Sequence, residues 1–224
     1  ELDDIISAAQ AVLDSGEEPY NSETISDLTT AIADANAARR DVPDLPKNTD
    51  DVIKASNALR KPLDYTDIIA SVSEKQSALE TSIKQMKQVT NPSEDFIIQC
   101  LQKIDGISGY QAVTEDRDPN GNLNKQGGYT AAVYFSSALI NQDEVYGYDI
   151  VDKGTEGGGC IEVYANTEDA EKRNTYLSSF DGAGLLNSGS HTVVGTVLIR
   201  TSSELTATQQ NELTRTITDK LLEL

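Results

Sequence analysis

Residues 1–105 repeat apolar positions every three or four residues. After that the spacing changes to alternation. In the first stretch Leu2, Ile5, Ile6, Ala9, Val12 and Leu13 make one stripe, predicting a helix over 2–13 that Gly16 ends and Pro19 keeps ended. Asn21 or Ser22 caps a second helix, whose inward positions are Ile25, Leu28, Ile32 and Ala35 and which stops before Pro43 and Pro46. A third follows Thr49, with Val52, Ile53, Ala55, Ser56 and Leu59 inward and Pro62 at its end. A fourth, over 64–89, keeps the spacing through Ile68, Ile69, Val72, Gln76, Leu79, Ile83 and Met86. At about 1.5 Å per residue it would reach about 39 Å, long enough to serve as a connecting strut. Its heptad-like spacing also admits a coiled-coil dimer, which Gln76 interrupts. The first three helices cannot bury their stripes singly, so an antiparallel bundle is expected.

From residue 91 the elements mix. Asn91-Pro92-Ser93-Glu94 predicts a capped helix start, with Asn91 as the cap, and Phe96, Ile97, Cys100, Leu101 and Ile104 form its buried face. Strands are predicted over 109–114, 128–140 (TAAVYFSSALI), 160–164 and 191–201 (HTVVGTVLIRT). A helix capped by Thr167 runs to Phe180, and a last helix spans 205–224. The order α-β-β-β-α-β-α gives an α+β class: a four-stranded, mostly antiparallel sheet with helices on one face. Two domains follow, a helical one over 1–90 and a sheet-containing one over 91–224.

Composition sharpens that division. No glycine lies between Gly16 and Gly106, and fourteen of the fifteen lie from Gly106 onward, as do nine of twelve aromatics from Tyr110 onward. Net charge is −19, with 20 acidic against 10 basic residues up to 105 and 17 against 8 after it. An acidity spread this evenly disfavours nucleic acid and anionic lipid, which need Lys/Arg contacts. No run approaches the roughly 20 apolar residues of a membrane span. The chain begins at Glu1 rather than a methionine, as expected of a segment whose signal or anchor has been removed, or else of an internal fragment of a larger protein. Two cysteines, Cys100 and Cys160, are expected as buried free thiols, a disulfide being the alternative.

Four patterns carry candidate chemistry. Asp116, Asp118, Asn120 and Gly121 reproduce the start of a calcium loop, with Leu123 at its apolar position. Gly127 stands where the closing glutamate belongs and Pro119 stiffens the loop, so a polar turn is the competing reading. Gly154-Thr155-Glu156-Gly157-Gly158-Gly159 has the glycines of a phosphate cradle but neither its lysine nor its helix. Cys160 and His191 could pair as nucleophile and base, oriented by Glu162 or Asp181, though no hydrolase signature surrounds them. Tyr146 and Tyr148, in the loop VYGYD, together with Tyr129 and Tyr134, offer rings on which a sugar could stack, or else pack the sheet.

Two resemblances add expectations. LDDIISAAQAVLDSG, EEPYNSETISDLTTAIADANAARR and NTDDVIKASNALRKPL, over residues 2–63, resemble FIVAR-type modules, three-helix units of large Gram-positive surface proteins. That resemblance implies display and a spacer or adhesion role, and no catalytic residues. TEDRDPNGNLNKQGGYTAAVYFSS, KGTEGGGCIEVYANTEDAEKRNTYL and GSHTVVGTVLIRTSSELTATQQNEL resemble, over nearly all of 95–222, the C-terminal domain of secreted lipoproteins from Gram-positive gut bacteria. This implies an extracytoplasmic place. The expected protein is therefore a non-enzymatic, monomeric surface protein, anchored as a lipoprotein, without cofactor unless calcium binds, whose partner is a host or cell-wall glycan or protein. A hydrolase using Cys160 and His191, and a calcium-stabilised structural domain, are the alternatives.

Overall fold

Helix-favouring, glycine-poor sequence fills the first half and β-branched sequence the sheet, and the computed structural model follows that division. It describes residues 1–40, 44, 46–60, 63–181 and 189–224. The expected stops at Pro43 and Pro62 lie outside the described residues. The chain forms two compact units, Glu1–Lys84 and Gln85–Leu224.

The first unit contains α1 (Leu2–Asp14), α2 (Glu23–Ala37), α3 (Thr49–Leu59) and most of α4 (Thr66–Gln88). Its core is Leu2, Ile6 and Ala9 of α1, Leu28, Ala31, Ile32 and Ala35 of α2, and Val72, Leu79 and Ile83 of α4. The bundle is thus α1, α2 and α4, not the expected first three helices. α3 buries none of its residues and leaves Val52, Ile53 and Leu59 exposed. α4 presents Val72, Leu79 and Ile83 over three turns, whereas α3 is only 11 residues long, spends its first turn on Asp50 and Asp51 and sets Lys54 between Ile53 and Ala55. The buried Ser82 fastens α4 to the α1–α2 connection, its carbonyl accepting from Tyr20 N at 3.0 Å and its hydroxyl from Asn21 N at 2.7 Å.

The division falls inside α4, not between residues 90 and 91, because Met86 and Val89 pack into the second unit's core. That unit adds α5 (Glu94–Gln102), β1 (Ile107–Ala112), β2 (Tyr129–Ser137), β3 (Gly158–Tyr164), α6 (Thr167–Ser178), β4 (Ser190–Val194), β5 (Val197–Thr201) and α7 (Ala207–Leu221). The sheet has five strands, all paired antiparallel, in the order β1-β2-β3-β5-β4. β3 and β4 both run antiparallel to β5, so they are parallel to each other and the segment carrying α6 crosses over β5. The segment read as one strand over 191–201 is a hairpin. Val194 pairs with Val197, and Gly195, at φ 62°, supplies the positive φ that a two-residue turn requires at its first position.

Strand alternation sends one set of side chains to each face. Val133, Phe135, Ile161, Val163, Val197 and Ile199 face α5 and α7. Tyr134, Cys160, Tyr164 and Leu198 face Ala170 and Leu177 of α6. The sheet is therefore covered on both faces, where helices on one face were expected. Cap details shift as well. Ser93, not Asn91, caps α5 through Phe96 N at 3.2 Å, and Asn166, not Thr167, caps α6 through Asp169 N at 2.9 Å. α7 opens on a full capping box between Thr206 and Gln209.

Candidate functional site

Two connections of the second unit join β2 at its opposite ends, residues 113–128 from β1 and residues 138–157 to β3, and the second returns along β1 to meet the first at Arg117. Each is built around a carboxylate. Asp118 Oδ2 accepts from the backbone N–H groups of Asn122 at 2.6 Å and Leu123 at 2.7 Å. Its Oδ1 accepts from Asn120 N at 2.9 Å and from the Tyr129 hydroxyl. Burial acts to raise the Asp118 pKa, but the Tyr129 hydroxyl and three backbone donors outweigh it and hold the carboxyl below its ordinary value. Asp149 plays the corresponding part in the second connection. Its carboxylate receives Asp152 N at 3.0 Å, Arg117 Nη2 at 2.6 Å and Gln111 Nε2 at 3.3 Å. The Asp152 N–H first and the Arg117 guanidinium second lower its pKa to about 2.

Arg117 is the joint between the loops, since it also reaches Asp152 Oδ1 at 3.1 Å. Gln111 on β1 completes the clamp by accepting from Val151 N at 3.1 Å. Between the joined loops lies an open groove of about 560 Å³, lined among others by Asp116, Arg117, Asp118, Tyr146, Tyr148 and Asp152. A second depression of about 380 Å³ continues it, sharing Tyr146, Gly147 and Tyr148 and adding Asp143 and Glu144. The structure thus brings the two separate sequence candidates, the Asp116–Asn120 loop and the Tyr146/Tyr148 pair, to one place.

Both tyrosine rings stand out from the surface, 89% and 97% exposed. The backbone between them is fixed. Gly147 has φ 140°, and a Cβ there would fall 2.6 Å from Lys153 N, so only glycine fits the bend that turns both neighbours outward. Lys153 is itself tied down, its Nζ donating to Gln142 O at 2.7 Å.

As a calcium loop, the 116–121 segment has its central carboxylate engaged within the chain. Asp118 uses both oxygens on loop donors, Asp116 accepts from Thr114 Oγ1 at 2.7 Å, and Asn120 turns its amide nitrogen to the Tyr129 and Tyr134 hydroxyls at 3.5 and 3.4 Å. Among the described residues no cluster of three or more His, Cys, Asp or Glu side chains could hold a metal ion. Tyr129 and Tyr134 are buried sheet residues, with no ring face to offer a ligand.

Cys160 and His191 do not form a pair. Both stand opposite Arg200, on the two strands flanking β5, so a full strand separates them. The His191 ring nitrogens face Asn174 Oδ1 at 2.6 Å and Asp181 Oδ2 at 3.2 Å. Cys160 is fully buried, and burial pushes its thiol pKa well up, the opposite of an activated nucleophile. Glu162 is no orienter either. Its carboxylate, fully buried beneath α6, receives Arg200 Nη1 at 2.9 Å, the Tyr164 hydroxyl at 2.7 Å and Arg173 Nε at 3.3 Å. The glycine run is no cradle: it passes through a 3-10 turn at Gly154–Gly157 into β3, where a Cβ on Gly159 would meet Arg200 O at 2.2 Å.

Sequence reasoning missed Arg117 and the Glu162–Arg200 pair. Arg117 lies between two aspartates, a visible but common pattern, and its partners are 32 and 35 residues away. Opposite charges inside two otherwise apolar strands, CIEVY and VLIRT, were the available signal for the second. Comparison with models of known protein families, with curated proteins and with solved structures found no match.

Proposed function

We propose that the second unit is a non-enzymatic binding module whose site is the Tyr146/Tyr148 groove, carried outside the cytoplasm on a cell-surface protein whose helical unit acts as spacer or adhesion element. The observation that carries the binding reading is the outward display of two nearly fully exposed tyrosines on a loop held in shape by Gly147, Asp149 and Arg117. A protein has no folding reason to fix two large rings in water, and such rings are typical anchors of interfaces. Surface display, anchoring as a lipoprotein and a glycan or protein partner rest on the two sequence resemblances. Support for a non-enzymatic reading comes from the sealed Cys160 and its separation from His191.

The test is a binding screen against glycan, peptidoglycan and peptide arrays with the intact chain and with Tyr146→Ala/Tyr148→Ala. Every specific binder should weaken by about tenfold or more in the variant, the loss expected of two interface anchors, with the melting temperature unchanged. A specific ligand that binds both proteins equally would place the site elsewhere.

A further inference from the structure

The groove's charge is lopsided. The two adjoining depressions are lined by five carboxylates, Asp116, Asp118, Asp143, Glu144 and Asp152, against one guanidinium, that of Arg117. Arg117 is already matched by Asp149 and Asp152, so it offers little to an anion. Asp118 adds field rather than bonds, because loop donors occupy its oxygens. Asp143 and Glu144 are exposed and can reach a ligand, and Asp116, exposed as well, accepts from Thr114 through one oxygen only and can share its carboxylate with a cation. The faces of the tyrosine rings carry negative quadrupole potential, so they too favour a cation.

Resting on the binding-module reading above, we infer that the groove docks a lysine- or arginine-bearing segment of another polypeptide, its cationic heads lying over Tyr146 and Tyr148 and pairing with Asp116, Asp143 and Glu144. Anionic partners meet uncompensated carboxylates here. A neutral sugar would stack on the rings but leave those charges unused. The groove is open and continues through two depressions that share the tyrosines, so its occupant is long and multiply charged, not a compact molecule engulfed on all sides. An extended peptide places alternate side chains on one face about 6.4–6.8 Å apart, which supplies several cations along one track. The Lys and Arg stems would cover the exposed rings while their heads remain at the carboxylates.

The test is a titration of the intact chain, followed by tyrosine fluorescence since no tryptophan is present. The ligands are a lysine-containing decapeptide, its glutamate counterpart, spermine, and a neutral oligosaccharide. Because a chain of net charge −19 attracts cations everywhere, the groove variant Asp143→Asn/Glu144→Gln is compared with Glu212→Gln/Asp219→Asn on α7, which removes the same charge elsewhere. The basic decapeptide should bind, weaken with added salt, lose about tenfold in Tyr146→Ala/Tyr148→Ala, and weaken more in the groove variant than in the α7 variant. Equal weakening in both charge variants, or no dependence on the tyrosines, overturns the inference. Spermine binding as well as the decapeptide would overturn the polypeptide assignment. Tyrosine-dependent binding of the neutral oligosaccharide alone would sink the cationic ligand and leave the binding module standing. If no ligand of any class depends on the tyrosines, both fall.

Discussion

Glu162 has no exposed surface, yet three donors converge on its carboxylate. Burial works against the Arg200 charge, and Glu162 outweighs it, raising the Arg200 pKa. Glu162→Ala would strand Arg200 in a dry layer and should cost about 3–5 kcal/mol in chemical denaturation. Glu162→Leu with Arg200→Met should cost clearly less than Glu162→Ala, because the more deeply buried cation leaves with its partner and only Arg173, whose side chain keeps some contact with water, loses an ion pair. Asp118 makes a different kind of bond, anchoring loop backbone. Asp118→Ala should cost about 1.5–3 kcal/mol for its charge-assisted bonds, and millimolar calcium should leave the wild-type melting temperature unmoved, since the same oxygens are occupied. Asp149 gives a pH signature. Its carboxyl sits at about 2, below the usual value of about 3.9. A depressed carboxylate contributes stability that is complete above about pH 4 and disappears as pH falls through about 2. Carboxyl-carbon NMR should place that inflection at Asp149, and Asp149→Asn should abolish it. The pairings of Glu162 with Arg200 and of Asp149 and Asp152 with Arg117 were not legible in the sequence. Each charge looked ordinary where it stood, and only the pairing of strands and loops 32–38 residues apart made it a partner.

At the scale of elements, periodicity identified helices and strands well and their packing less well. α1, α2 and α4 were readable from their stripes, but α3 shows the same kind of stripe and buries none of it, so periodicity alone did not say which three would associate. Leu28→Ala, in the bundle core, should therefore cost about 2–5 kcal/mol, whereas Ile53→Ser on α3 should change stability by less than about 0.5 kcal/mol. Urea denaturation of the two variants decides between this bundle and one built on α3. The β4–β5 hairpin was hidden because apolar, β-branched residues on both sides of Gly195 read as one strand, although the glycine was the visible clue. Second coverage of the sheet was hidden for a related reason. Cys160, Glu162 and Tyr164 gave their face a polar look, and the pairing of Glu162 with Arg200 is what allows α6 to close over it.

On the scale of the whole molecule, the division into a helical and a sheet unit was plain from glycine and aromatic placement alone. Its position was not, because α4 continues without a break while its inward side chains change cores between Ile83 and Met86. The acid–base imbalance is shared by both halves, so repulsion within each should be relieved by salt. Moderate sodium chloride should raise the melting temperature in calorimetry, while it weakens any basic ligand in the groove.

The two cysteines have a practical consequence. Both are free and buried, Cys100 on α5 in the layer that packs against one face of the sheet and Cys160 on the face beneath α6. With the sheet between them they act as independent clocks: brief exposure to an alkylating reagent, read by mass spectrometry, times the opening of each layer separately. The folded chain should stay unlabelled, which leaves the surface silent for any reporter thiol placed there.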